Sequence, residues 1–184
     1  MQLQPELLIT AFALSGITLK TSDFLGERGS TPISYLSAAV SAFIFGLLMS
    51  ESVFSSSLIL GIIIGVILSR KVDRPNMVLG LILTFAFASY FEFWTNLKVS
   101  TLWFLVVVAF FTFIDEVGHE RLGQKEGFPA LFFRYRLSLK LIMILLAGVS
   151  LIPTVYLIGF LCFDLAYDFT NHFLTNIKSK PLKH

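Results

Sequence analysis

The chain has 184 residues, of which 55% are hydrophobic and only 14% are charged, and its mean hydropathy is +0.80. This composition is too apolar for a water-soluble domain of ordinary residue usage. The formal net charge is only +2, and Lys and Arg are spread among loops, so nothing indicates a nucleic-acid partner. We expect membrane lipids and a small-molecule or lipid substrate as partners, and the sequence is compatible with a homo-oligomer.

Seven apolar runs follow one another along the chain, at residues 5–21, 33–50, 53–70, 77–93, 99–116, 131–151 and 154–173. A bilayer core of about 30 Å needs roughly 17 to 25 apolar residues per helix. Only Gly148, Ser150 and Pro153 divide the last two runs, and they favour a tight helical hairpin over one kinked helix. The predicted fold is all-α, a polytopic transmembrane bundle of about seven helices.

Basic residues predict how the chain crosses the membrane. They follow the first, third, fifth and seventh runs, whereas only Lys98 lies on the other side. Because basic loops are retained in the cytoplasm, the pattern predicts a multi-pass protein with its N-terminus outside and its C-terminus cytoplasmic. Residues 1–184 are expected to form one transmembrane domain that ends in a basic tail, 174–184.

A recurring motif indicates an internal repeat. Residues 23–28 read Asp-Phe-Leu-Gly-Glu-Arg, and residues 115–121 read Asp-Glu-Val-Gly-His-Glu-Arg, the same order with one insertion. Residues 73–76 and 168–171 both begin with Asp and end with Asn. The shared order and spacing of these segments predict a duplication.

The duplication would divide the chain into repeat A at 5–76, a connector helix at 77–97 and repeat B at 99–173. The unpaired connector gives both halves the same orientation, so the plan is three plus one plus three parallel helices. In helix number and order it resembles the SWEET sugar transporters, which are also built from parallel repeats. None of that family's sequence motifs occurs here, so the resemblance carries over no residue and no substrate.

The end of the fifth run holds the densest group of ionisable residues. Helical periodicity sets Asp115 beside His119, and it sets Glu116 beside His119 and Glu120. Carboxylate and imidazole could converge there on one proton or one metal ion. The alternative is a solvated helix end, which is the simpler interpretation for Glu120.

The seventh run carries a polar stripe of Asp164, Asp168, Asn171 and His172, spaced so that they share one side of a helix. Asp164 lies within the apolar segment, where a carboxylate costs about 2.5 to 3.5 kcal/mol, so it marks function by default. The alternative is an interhelical hydrogen bond.

Three sets of candidate residues follow from these patterns. The catalytic candidates are Asp115, His119, Asp164 and Asp168. The metal-binding candidates are Asp23, Asp73, Asp115, Glu116, Asp168 and His172. The substrate-binding candidates are Lys20, Arg28, Arg134, Arg136, Asn76 and Asn171. Acidic clusters with bases nearby suit a metal-bridged diphosphate, so Mg²⁺ or another divalent metal is the expected cofactor. For the stretch 127–136, an interfacial anchor is a simpler interpretation than a phosphate clamp.

The hypothesis that best fits these patterns is a small integral membrane enzyme. It would act on a lipid or isoprenoid-type substrate, including phosphorylated ones, at the cytoplasmic membrane face. A transporter or channel for a small solute or cation is the first alternative, favoured by the repeat plan. A structural subunit of a membrane complex is the second.

Overall fold

The computed structural model describes residues 3–29, 31–123 and 125–179. Within these ranges the chain forms helices and short 3-10 turns, with no β-strand. The α-helices are α1 (Pro5–Gly26), α2 (Pro32–Glu51), α3 (Val53–Leu68), α4 (Pro75–Tyr90), α5 (Leu102–Leu122), α6 (Phe128–Arg134), α7 (Leu137–Gly148) and α8 (Thr154–Ser179). The predicted all-α class is confirmed for this part of the chain. Residues 180–184 of the predicted basic tail lie outside the described residues.

Three helical segments are long and apolar enough to cross a membrane, namely Pro5–Gly26, Pro32–Glu51 and Val99–Leu122. Three further apolar helices, α3, α4 and α7, are shorter. Large apolar side chains such as Leu36 and Val106 are 65% and 62% exposed, as expected where a helix faces lipid. The chain is therefore a helical bundle with candidate membrane-spanning helices, and the count of seven crossings stays a prediction.

The sixth predicted run is two helices rather than one. α6 ends at Arg134 and α7 begins at Leu137, and between them Arg136 adopts a left-handed φ of 49°. A residue in that conformation cannot continue a right-handed helix, so the run breaks there. The next break falls where Pro153 predicts it, because α7 ends at Gly148 and α8 begins at Thr154.

The described residues divide into two compact units. The α3/α5 unit comprises Leu48–Asp73 and Glu92–Leu157, and the α1/α4 unit comprises Leu3–Leu47, Arg74–Phe91 and α8 from Ile158 onward. Each unit takes helices from both predicted repeats, so the repeat boundaries do not coincide with the units. The repeat itself stays a prediction.

In the α3/α5 unit, glycines let two helices approach closely. A Cβ atom on Gly61 would lie 2.7 Å from Val108 Cβ, and one on Gly65 would lie 2.6 Å from Thr112 Cβ. Small residues at this spacing are typical of close helix pairs in membranes. Since both contacts advance by four residues in the same direction, α3 and α5 run parallel.

In the α1/α4 unit, α1 and α8 also run parallel. A Cβ atom on Gly16 would collide with the carbonyl oxygen of Phe163, so the two backbones meet there. The contacts between the helices advance in the same direction in steps of four residues, at Phe12–Gly159, Gly16–Phe163 and Lys20–Tyr167. This register brings Tyr167 to the last turns of α1, where the charged residues begin.

Candidate functional site

A charged cluster surrounds Asp23 near the end of α1. Lys20, one helical turn earlier, donates from Nζ to Asp23 Oδ2 over 2.8 Å, and Arg74 donates from Nη1 to Asp23 Oδ1 over 2.7 Å. Arg74 directly precedes Pro75, the first residue of α4. A second nitrogen of Arg74, Nη2, lies 3.4 Å from Glu27 Oε1. One carboxylate therefore holds two cations that are far apart in sequence.

Tyr167 of α8 completes this Asp23 cluster. Its hydroxyl donates to Asp23 Oδ2 over 3.3 Å, and the Lys20 ammonium lies 5.0 Å from the centre of its ring. Lys20 is only 9% exposed, so its charge is held by a carboxylate and an aromatic face rather than by water. Because Asp23 already compensates Lys20 and Arg74, it is poorly placed to serve as a free metal ligand.

Next to the Asp23 cluster lies a buried group of hydrogen-bonded side chains. Asn76 Nδ2 donates to the carbonyl oxygen and to Oγ of Ser22, over 2.9 and 3.0 Å, and Ser22 Oγ donates to the carbonyl oxygen of Ser34 over 2.9 Å. Asn76 and Ser22 are both 0% exposed. These bonds fix the start of α4 and the start of α2 against the end of α1, which positions Arg74 beside Asp23.

Asp115, in the α3/α5 unit, has a different environment. It is 2% exposed, and its Oδ1 and Oδ2 accept from the backbone amides of Ser138 and Leu139, over 3.0 and 2.8 Å. α7 has no cap from the side chain of its own N-cap residue, Arg136. The Asp115 carboxylate supplies that cap from α5, where its negative charge also suits the helix dipole.

The acidic residues that follow Asp115 have separate partners. Glu116 Oε1 lies 3.0 Å from Arg136 Nε, and Glu120 Oε2 lies 3.3 Å from Lys71 Nζ. His119 is half-buried. Across the described ranges, the structure brings together no group of three or more His, Cys, Asp and Glu side chains that could hold a metal ion. Because both oxygens of Asp115 accept from backbone amides, this set of side chains does not fit a divalent metal. The metal cofactor stays a prediction, and no step proposed below depends on it.

The predicted stripe on α8 is mostly turned outward. Asp168, Asn171 and His172 are exposed and Asp164 is half-buried; His172 Nε2 lies 2.9 Å from Asn176 Nδ2. The inward side of the helix instead carries Tyr167 and Thr170, the latter only 7% exposed. The four residues of the stripe share one side of α8 as predicted, but the side of α8 that meets α1 is the neighbouring one.

The remaining candidates lie nearer the surface. Arg28 is exposed and its guanidinium lies 4.1 Å from the Phe24 ring centre, and Asp73 is exposed. Arg134 donates from Nε and Nη2 to the carbonyl oxygen of Gly123, each over 3.2 Å. Among the candidates, the structure pairs Lys20 with Asp23 and Glu116 with Arg136, and it binds Asn76 to Ser22, the neighbour of Asp23 in sequence.

Sequence reasoning missed Arg74, Tyr167 and a second buried polar pair. Glu51, at the end of α2, is 9% exposed, and its Oε2 accepts from the Tyr156 hydroxyl over 3.1 Å. A lone carboxylate between two apolar runs could have identified Glu51. Arg74 and Tyr167 carry no comparable signal, since their role depends on helices that meet only in the folded chain.

Comparison with protein-family models, with curated proteins and with solved structures finds no match to this chain. Its function has to be argued from its own residues.

Proposed function

We propose that this chain is an integral membrane enzyme that acts on a lipid or isoprenoid-type substrate, and that the Asp23 cluster binds the anionic end of that substrate. The observation that carries the proposal is the burial of the Lys20 charge at the end of an apolar helix, where Asp23, Arg74 and Tyr167 surround it. Ionisable groups withdrawn from water at a membrane helix mark functional sites by default.

The chemistry of the cluster suits a phosphate-bearing substrate. Arg74 presents a planar guanidinium whose side chain is 32% exposed, and this fork matches phosphate oxygens. Lys20 adds a second positive charge beside it. Asp23 orients both cations, and the Tyr167 hydroxyl, which donates to Asp23, is the candidate proton donor. No step requires the metal predicted from the sequence.

The proposal includes a membrane topology of seven crossings, with the N-terminus outside and the Asp23 cluster at the cytoplasmic face. Its support is the direction of the helix pairs: α1 runs parallel to α8, and α3 runs parallel to α5. Each of these pairs joins crossings of odd number, which must run in the same direction. With the native Cys162 replaced by Ser, labelling of single cysteines placed at Gly29 and Lys98 from either side of sealed vesicles tests it, and labelling of both from the same side contradicts it.

The enzymatic proposal is tested by product analysis. Purified protein is incubated with phospholipids and polyprenyl phosphates, and products are measured by mass spectrometry for wild type, Asp23→Asn, Lys20→Met and a Glu6→Gln control. Glu6 lies exposed in the first turn of the same helix. Turnover by wild type and the control but not by the cluster variants supports the proposal. Equal turnover by folded Asp23→Asn removes Asp23 from the mechanism.

Solute transport is a second candidate, favoured by a different observation. Buried hydroxyl groups of Ser55 and Thr112 have no hydrogen-bond partner among the residues described, and the same unit buries Glu51 with Tyr156. Such groups could line a polar path for a small solute. Flux in liposomes that is lost in Glu51→Gln but retained in Asp23→Asn would favour transport over the enzyme.

A further inference from the structure

The short helix α6 carries an apolar side with no role in the proposed function. Phe128, Leu131 and Tyr135 are 75%, 50% and 50% exposed, and their spacing of three and four residues places them on one side of the helix. The opposite side is packed, since Ala130 is 3% exposed and Phe133 fills the space beside Gly118 of α5. α6 is thus held in place with its aromatic side open.

α6 is fixed to the end of α5 by more than this packing. The Arg134 guanidinium binds the carbonyl oxygen of Gly123, and Arg136 pairs with Glu116. A Cβ atom on Gly118 would collide with the Phe133 ring, so the close approach requires glycine at this position. Together these contacts fix the orientation of α6 against the end of α5.

The position of α6 along the chain limits how far it can lie from a bilayer. The candidate membrane segment Val99–Leu122 ends six residues before Phe128, and six residues span at most about 22 Å. The next apolar helix, α7, begins three residues after Arg134. An element tethered at both ends in this way lies at the membrane surface, where aromatic side chains are favoured.

The charges around α6 indicate which lipid it meets. Arg121 and Lys125 are exposed in and after the last turn of α5, and Arg134 is exposed on α6. The acidic groups nearby are Glu120, which pairs with Lys71, and the exposed Glu126. Cations outnumber anions on this surface, so it complements anionic headgroups.

We infer that α6 is a membrane-surface helix that docks its Phe128, Leu131 and Tyr135 side on phospholipid, with Arg121 and Lys125 selecting anionic headgroups. The Phe128, Leu131 and Tyr135 side chains enter the headgroup region while the cations bind phosphate. This inference is independent of the Asp23 cluster and of any turnover there.

Tryptophan fluorescence tests the docking. Trp94 and Trp103 are replaced by Phe, and Phe128→Trp, Leu131→Trp and a Glu126→Trp control are placed in nanodiscs. Quenching of the first two mainly by brominated phospholipid, and of the control mainly by aqueous acrylamide, supports the inference. Quenching of Phe128→Trp mainly by acrylamide overturns it. Protection from acrylamide that increases with protein concentration also overturns it, because a second copy of the chain would then cover the Phe128, Leu131 and Tyr135 side.

Lipid enrichment tests the headgroup preference. Nanodiscs formed from phosphatidylcholine and phosphatidylglycerol are compared for wild type, Arg121→Gln, Lys125→Gln and a Lys98→Gln control. Each of the first two changes is expected to lower the enrichment of phosphatidylglycerol around the protein about fivefold, since each removes one cation near the membrane surface. An unchanged enrichment in both variants overturns the anionic selectivity.

Discussion

Asp23 and Asp115 begin the two copies of the motif that suggested a repeat, yet their carboxylates do different work. Asp23 binds the side chains of Lys20 and Arg74, whereas Asp115 binds the backbone amides of Ser138 and Leu139. The first arrangement gathers the charges of two side chains around one carboxylate. The second satisfies a helix end that would otherwise lack acceptors. Similar sequence therefore indicates a similar position along a helix and not a similar role.

The largest effect on stability is expected for Asp115→Ala. The variant leaves the amides of Ser138 and Leu139 buried without an acceptor and removes a charge from the start of α7, so the free energy of unfolding should fall by about 3 kcal/mol. Denaturant unfolding in detergent micelles measures it. The exposed Asp73→Ala is the control, with a change below about 0.5 kcal/mol. A loss equally small for Asp115→Ala would contradict the capping role.

Asp23→Asn should separate function from stability. We expect product formation to be lost, while the free energy of unfolding falls by about 1 to 2 kcal/mol. The Asn side-chain oxygen can still accept from Lys20, whose ammonium also keeps the Tyr167 ring, and the Arg74 side chain is 32% exposed to water. Turnover and unfolding are measured on the same preparation. Should Asp23→Asn prove as destabilising as Asp115→Ala while turnover per folded molecule is unchanged, both carboxylates would be structural.

A double-mutant cycle sharpens the contrast further. Asp23→Asn and Arg74→Gln should show a coupling of about 1 kcal/mol that decreases at high salt, since the pair is charged and partly exposed. Asp23→Asn with Arg28→Gln is the control cycle, because Arg28 lies against Phe24 instead, and its coupling should be near zero. Equal coupling in both cycles would mean that Asp23 interacts with the overall positive charge of the region and not with Arg74 in particular.

The smallest effects concern the acidic residues beside Asp115. Glu116 pairs with Arg136 and its side chain is 10% exposed, whereas Glu120 pairs with Lys71 and its side chain is 65% exposed. Glu116→Gln should lower the free energy of unfolding by about 1 kcal/mol, and Glu120→Gln by less than about 0.5 kcal/mol. Thermal unfolding of the two variants side by side measures the difference. The reverse order would show that exposure does not govern these pairs.

Local patterns in the sequence predict much of the fold and little of the site. Apolar runs bounded by Pro and by charges give the positions of α1 to α5 and the break before α8, because hydrophobicity and backbone chemistry act over a few residues. The split between α6 and α7 was missed because it depends on the left-handed Arg136 and on the cap that Asp115 provides. The side of α8 that meets α1 was not identified, because periodicity does not say which neighbour a helix meets.

The sequence by itself determined the all-α class and the apolar character of the helices, and it places Lys20 and Asp23 three residues apart near the end of α1. These depend on composition, on periodicity and on residues that are close along the chain. Only the tertiary structure decided that Arg74 and Tyr167 join Asp23, and that Asp115 caps α7. Both outcomes depend on how the helices pack, because packing decides which donors lie near each carboxylate. Glycines such as Gly16 and Gly65 allow the helices to approach closely.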